Sequence, residues 1–256
     1  MDGERHDKRT VLALGGSERL EFLQGIVTND LAGLSEGLMY TALLTPQGKY
    51  LADFFVKGDG DRLLVDVATP LAADLFKRLK MYKLRADVTL DETGLHAIRG
   101  LGPAPEGALP DPRHPALGWR LYAETPGGEP VTDWEALRVA HCIPESGVEL
   151  IPNDTFILEA GFERLHGVDF RKGCYVGQEV TARMKHKTVL KKGLATVAIS
   201  GEAPAPGTEI THAGKVAGTL YTVAGDRGIA YLRFDRTGEG MEAGGARVSW
   251  APETVG

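Results

Sequence analysis

Three strand-length apolar runs, parted by turn-forming residues, constrain the first third of this chain most strongly. Tyr40 to Leu44, Tyr50 to Val56 and Arg62 to Val67 are divided by Thr45-Pro46-Gln47-Gly48-Lys49 and by Gly58-Asp59-Gly60-Asp61. Glycine and proline at those places favour chain reversal, so an antiparallel meander is expected. Thr69-Pro70 then opens a helix, with Pro in the first turn and Leu71, Leu75 and Leu79 on one face. It is expected to end near Arg85, with a returning strand over Ala86 to Leu90. Strands followed by a helix and another strand indicate an α+β layer rather than a doubly wound parallel sheet.

Upstream, Ser17 is a candidate N-cap for a short helix carrying Leu20, Phe22 and Leu23 and ended by Gly25. Seven of the 14 prolines fall in residues 100–130, so little regular structure is expected there beyond a strand at Trp119 to Ala123. Thr132-Asp133-Trp134-Glu135 has the form of a capping box for a helix stopped before Pro144. Asn153, Asp154 and Thr155 are candidate caps for another short helix through Phe162 and Leu165. From Val189 onward, short β-like runs alternate with glycine-rich turns: Leu194 to Ile199, Gly214 to Val223, Ile229 to Phe234 and Arg247 to Trp250. That pattern predicts a small C-terminal β-barrel. Residues 1–188 and 189–256 are the expected domains.

Composition excludes several function classes. Cys142 and Cys174 are the only cysteines, too few for a disulfide framework, and no Cys-x-x-Cys pair is present. His141 and Cys142 are too few for a closed metal site, so no metal is expected. A reducing cytoplasm is the expected location. Met1 to Lys8 has no apolar core of a signal peptide, and no apolar run reaches the ~20 residues of a membrane span. A net charge of −6 disfavours direct tRNA binding. The basic cluster is Arg183, Lys185, His186, Lys187, Lys191 and Lys192, a solvated face or a hold for an anion. No Gly-x-Gly-x-x-Gly after a strand, Walker-type loop, His-Glu-x-x-His or Gly-x-Ser-x-Gly is present.

The densest run of unusual residues is Lys172-Gly173-Cys174-Tyr175-Val176-Gly177-Gln178-Glu179. Cationic neighbours such as Arg171 and Lys172 favour a thiolate, and the two glycines permit sharp turns. A buried cysteine in a tight turn is the bland alternative. Strand alternation places Leu51, Asp53 and Phe55 on one face. Asp53 is then either on the wet side of the sheet or a pocket carboxylate able to act as acid, base or cation anchor. Glu159 follows an apolar run, where an ordinary exposed helix charge is the simpler reading.

Together these segments resemble the folate-binding YgfZ family, which is related to the aminomethyltransferase (T-protein, GcvT) of the glycine cleavage system. The resemblance rests on Phe22-Leu23-Gln24-Gly25 with Thr28-Asn29-Asp30, and on Thr45-Pro46-Gln47-Gly48-Lys49 with Asp53. It continues through Ile143-Pro144 with Gly147-Val148-Glu149 and ends in the octet at 172–179. It implies an α+β fold of GcvT-like subdomains, with antiparallel sheets and packed helices around a central folate hole, and a C-terminal β-barrel. It also implies a tetrahydrofolate cofactor or a one-carbon derivative. Cys174 and Asp53 are the implied catalytic candidates. Asp53, Glu159, Tyr175, Lys172, Gln178 and Arg183 are the implied cofactor-binding candidates.

The function implied is assembly or repair of iron–sulfur clusters in selected enzymes, including tRNA-thiolating ones, with Cys174 as the key thiol. Iron–sulfur clients or assembly proteins are the implied partners. The alternative is a tetrahydrofolate-dependent aminomethyltransferase of glycine cleavage, for which Asp53 speaks; that chemistry needs no cysteine. Whether the chain turns over a substrate is open at this point. Cys174 has three chemical options here: nucleophile, redox relay or transient cluster ligand.

Overall fold

The computed structural model describes residues 3–187 and 189–251. The chain divides into two compact units. The first comprises Met1–Thr132, Pro152–Phe156 and Phe162–Arg183; the second comprises Asp133–Ile151, Ile157–Gly161 and Met184–Gly256. The second unit thus includes two segments upstream of the expected division at residue 188.

The first unit opens with β1 (Glu4–Arg5), β2 (Arg9–Gly15) and α1 (Arg19–Gln24). The meander follows as β3 (Met39–Leu44), β4 (Tyr50–Asp59) and β5 (Arg62–Ala68), then α2 (Thr69–Tyr82) and β6 (Thr89–Glu92). β7 (His96–Gly100), β8 (Leu109–Pro110) and β9 (Trp119–Ala123) come last. Two antiparallel sheets result, with orders β3-β4-β5-β2-β6 and β1-β7-β9-β8. The meander is as expected. The insertion of β2 beside β5 is not, because Val11 to Leu14 are buried on both faces. A strand buried on both faces shows no alternation to mark it.

Several boundaries shift for local reasons. α2 stops at Tyr82, before Leu84 with its positive φ of 44°, and the returning strand begins at Thr89 rather than Ala86. The proline-rich connection holds β8 and a short 3-10 turn as well as β9. The expected helix over 153–165 is a series of turns, interrupted by positive φ at Asn153 and Gly161.

The two faces of the five-stranded sheet differ in chemistry. Phe54, Val56, Val65 and Val67 pack with Leu23 of α1 and with Leu75 and Leu79 of α2. Leu51 joins this apolar side, contrary to simple alternation. Leu43 pairs with Ala52 and Leu44 with Tyr50, which leaves Leu51 as the extra residue of a bulge. Asp53, Phe55 and Asp66 take the other face, where Asp66 meets Arg120 and Tyr122 of β9.

In the second unit, α3 (Trp134–Ala140) is capped by Asp133, whose carboxylate accepts from the Ala136 N–H at 2.9 Å. Thr132, the expected cap, instead donates its hydroxyl to Glu4 within the first unit. α4 (Gln178–Lys187) begins in the first unit and ends in the second, and it carries the first part of the basic cluster, which is therefore helical. The Lys187 side chain lies outside the described residues. β10 (Lys192–Ser200), β11 (Glu209–His212), β12 (Lys215–Ala224), β13 (Arg227–Arg233), β14 (Met241–Ala243) and β15 (Ala246–Ser249) close a barrel of order β10-β13-β12-β11-β14-β15. Val197, Ile199, Ile210, Leu220 and Leu232 fill it.

Candidate functional site

The octet forms a loop in which buried and exposed residues have different tasks. Lys172 and Tyr175 are each only 7% exposed, while Gly173 and Cys174 between them are exposed. Two buried anchors therefore hold a two-residue span that offers a thiol to solvent. The bland reading of Cys174 as core filler does not hold.

Lys172 is anchored by the segment after α1. Its Nζ donates to the carbonyl oxygens of Gln24 at 2.8 Å and Asn29 at 3.0 Å, and to that of Val27. An ammonium has three donors and no acceptor, so three carbonyls saturate it. Burial pulls Lys172 down to about 8, against Asp30 and Asp169, which favour its charge. Its ammonium also lies 5.3 Å from the centre of the Tyr175 ring. Lys172 is thus a brace of the loop, and its protons are already committed rather than offered to an anionic ligand.

The same segment is stitched from the other side. Gln24 Oε1 accepts from the Leu31 N–H, and Gln24 Nε2 donates to Asp30. Thr28 donates its hydroxyl to the Gly167 carbonyl, and Asn29 Nδ2 donates to the carbonyls of Tyr40 and His166. At the far end of the octet, Gly177 has φ +83° and packs against the β3–β4 turn. A Cβ at Gly177 would stand 2.5 Å from the Thr45 carbonyl oxygen, and one at Gly48 would stand 2.8 Å from Val180 Cβ. Both N-terminal motifs of the sequence are therefore buttresses of the thiol loop.

Asp53 occupies a second, closed place in this unit. Its Oδ1 accepts from Tyr50 Oη at 2.6 Å and its Oδ2 from Tyr40 Oη at 3.0 Å. Burial, followed by the field of Asp53, pushes the Tyr40 phenol well above its ordinary value, so Tyr40 remains a donor. Behind it runs a buried ionic network. Asp66 pairs with Arg9 at 2.6 Å and Arg120 at 3.1 Å, and Asp111 pairs with Arg120 and Arg113 at 2.8 Å each. Burial favours a protonated Asp111, but Arg113 and Arg120 outweigh it and depress the carboxyl far below its ordinary value. The sequence reading missed Tyr40, Tyr50 and Arg113; the Asp111-Pro112-Arg113 triplet was the available signal.

A pterin anchored by Asp53 would need an open carboxylate edge. Asp53 is 2% exposed and each oxygen already accepts from a tyrosine. As arranged, this carboxylate does not fit that ligand. Nearby, an open cleft of about 490 Å³ is lined by Tyr40, Pro112, Glu163, His166 and Phe170 among others.

Glu159 lies apart, in the second unit and in a turn rather than a helix. Its carboxylate accepts from Tyr231 Oη at 2.7 Å and its carbonyl from the Leu194 N–H at 2.8 Å. Gln178 begins α4, and Arg183 is exposed on it. Among the described residues, no group of three or more His, Cys, Asp or Glu side chains is arranged to hold a metal ion. No helix there is long and apolar enough to cross a membrane.

Comparison with known proteins places this geometry among relatives. Residues 191–255 match the family described as the CAF17 C-terminal beta-barrel domain. The mitochondrial iron–sulfur cluster assembly factor IBA57 of Mus musculus is 30% identical, over 90% of this chain and 77% of its own length. The Homo sapiens protein of that name is also 30% identical, over 89% and 76%. The Neurospora crassa homolog is 32% identical over 77% of this chain, and that match spans 54% of its length, so the chain covers about half of that relative. Among solved structures, the glycine cleavage system aminomethyltransferase T from Bartonella henselae superposes with a TM-score of 0.73. That likeness covers 94% of this chain and 82% of the other at 14% identity, and it shows the fold.

These relatives correct one expectation. All three IBA57 proteins are named as mitochondrial, which conflicts with a cytoplasmic location. Scarce cysteine reports a reducing surrounding and carries no address within the cell.

Proposed function

We propose that this chain, which belongs to the IBA57 family of iron–sulfur cluster assembly factors, supports assembly of iron–sulfur clusters in client proteins through the thiol of Cys174. The family lies within the YgfZ/GcvT-like superfamily, which agrees with the T-protein fold. One observation supports the role of the thiol above all: Cys174 is exposed between the buried anchors Lys172 and Tyr175. A loop that merely closed a turn would gain nothing from an exposed sulfur braced on both sides.

Coordination chemistry narrows what such a thiol does. Protein-bound clusters are held by about four thiolates or equivalent ligands. Cys174 supplies one, and the sequence holds a single other cysteine, Cys142, so the chain falls short of four thiolates. A cluster handled here is therefore cargo, shared with ligands of a donor or client, and Cys174 acts as a transient ligand in preference to a redox relay. Enzymes that thiolate tRNA are proposed among the clients, with recognition through the protein rather than the nucleic acid, in keeping with the net charge of −6.

Reduced folate is the finer part of the family resemblance, and no step proposed for Cys174 runs through it. The aminomethyltransferase alternative requires Asp53 to face a methylene carrier, whereas its carboxylate is closed by Tyr40 and Tyr50. Tetrahydrofolate-dependent release of ammonia from an aminomethylated lipoyl carrier would favour that alternative.

The proposal is tested in a strain that lacks its own family member, by restoring an iron–sulfur enzyme activity. The wild-type chain is expected to restore it and Cys174→Ala to fail at equal protein level. Full restoration by Cys174→Ala would remove the thiol from the mechanism.

A further inference from the structure

The proline-rich connection between β8 and β9 delivers a side chain into the sheet. Arg113 belongs to Asp111-Pro112-Arg113-His114-Pro115, and its guanidinium is clamped by Asp111. Arg113 Nε donates to Asp111 Oδ1 at 3.0 Å and Nη2 to Asp111 Oδ2 at 2.8 Å, a two-pronged match of fork to carboxylate. The same guanidinium lies 4.9 Å from the Phe55 ring centre and 5.5 Å from that of Tyr40. Tyr40 is held in place on both sides, its hydroxyl on Asp53 and its ring 5.2 Å from that of Phe162.

A carboxylate that accepts two parallel N–H bonds, beside aromatic faces, is a recognition set for a flat donor group. A guanidinium satisfies it, and so does the N3–H and 2-amino edge of a 2-amino-4-oxopyrimidine, which presents a similar pair of N–H donors. We infer that Asp111, Tyr40 and Phe55 form a site for a planar guanidine-type edge, and that the protein's own Arg113 is its occupant. Entry of a pterin edge by this route would require Arg113 to leave. The site borders open space, since Tyr40 and Pro112 also line the cleft of about 490 Å³. Removing the Arg113 side chain would leave its volume beside that cleft. Burial disfavours a charged Arg113, but Asp111, with Tyr40 and Asp53 adding to it, more than reverses this and raises its pKa. The occupant is thus a stable cation.

Replacement of the lost side chain by a free analogue tests this in the full chain. Thermal unfolding of wild type and Arg113→Ala is compared in millimolar methylguanidinium and in methylammonium, which has the same charge without the flat fork. Methylguanidinium is expected to raise the midpoint of Arg113→Ala, and not that of wild type, because a ligand bound only to the folded state stabilises it. Methylammonium is expected to raise neither. If Arg113→Ala does not fold alone, its refolding yield in the two salts is read instead, with recovery expected only in methylguanidinium. An equal response to both cations, or none to either, would overturn the inference. Cluster assembly enters none of these readouts, so the outcome is separate from that of the iron–sulfur proposal.

Discussion

Gly177 lies directly against Gly48: a Cβ added to Gly177 would come 3.1 Å from the Gly48 Cα and 2.5 Å from the Thr45 carbonyl oxygen. With φ at +83°, Gly177 also occupies a backbone region that side chains resist. The β3–β4 turn is in this way part of the thiol loop's foundation.

Gly177→Ala should therefore destabilise the fold by about 2–3 kcal/mol, from left-handed strain plus a backbone clash. Gly173→Ala is the internal control, because a methyl group there would meet nothing within 4 Å and its φ is not positive. It should stay within about 0.5 kcal/mol of wild type. Urea denaturation measures both, and equal effects would contradict the packing described.

Lys172→Met should cost about 2–4 kcal/mol, since it leaves the carbonyls of Gln24, Val27 and Asn29 without their shared donor. The pH dependence has a definite sign. Lys172 is depressed from 10.5 to about 8 on folding, so between those values the unfolded chain binds more protons than the native one. Stability from this group rises with pH across that window and is lost as pH falls through about 8. The difference in unfolding free energy between wild type and Lys172→Met should grow from pH 8 toward 10.5 and be flat below. A difference that shrinks over that range would contradict it.

Arg120→Met should be among the most destabilising single changes, at about 3–5 kcal/mol, because it leaves Asp66 and Asp111 buried with fewer cations. Chemical denaturation of this variant measures the loss. A cost under about 1 kcal/mol would mean that Arg9 and Arg113 suffice to hold both carboxylates.

Tyr40→Phe removes one of the two hydroxyls that close Asp53 and should cost about 1–3 kcal/mol. Tyr50→Phe removes the shorter bond, at 2.6 Å, and should cost at least as much. Each is read from denaturant midpoints. Neutral effects from both would place Asp53 in solvent instead.

Local signals carried most of the architecture. Turn residues at 45–49 and 58–61 located the meander, Thr69-Pro70 located α2, and glycine-parted runs announced the barrel. Those features act over a few residues, which is the range at which sequence pattern is legible. Arg120 and Asp66 are 54 positions apart, and Lys172 reaches carbonyls 143 to 148 positions away. No pattern within a window marks such pairs. The octet was recognisable as unusual, but its division into buried anchors and an exposed thiol depended on those distant contacts. Asp53 was grouped rightly with Phe55 and wrongly with Leu51, which the bulge turns to the apolar side, and its closure by Tyr40 and Tyr50 was not legible because both read as ordinary strand residues.

Spectroscopy of a cluster in the presence of this protein reports on the Cys174 thiol itself. Purified wild type and Cys174→Ser are mixed anaerobically with a donor protein carrying an iron–sulfur cluster, and the visible circular dichroism of the cluster is followed. Wild type should change the spectrum to saturation as it is titrated in, because a new thiolate enters the coordination sphere, and Cys174→Ser should leave the donor spectrum as it was. The same spectral change with both proteins would contradict a role for the Cys174 thiol.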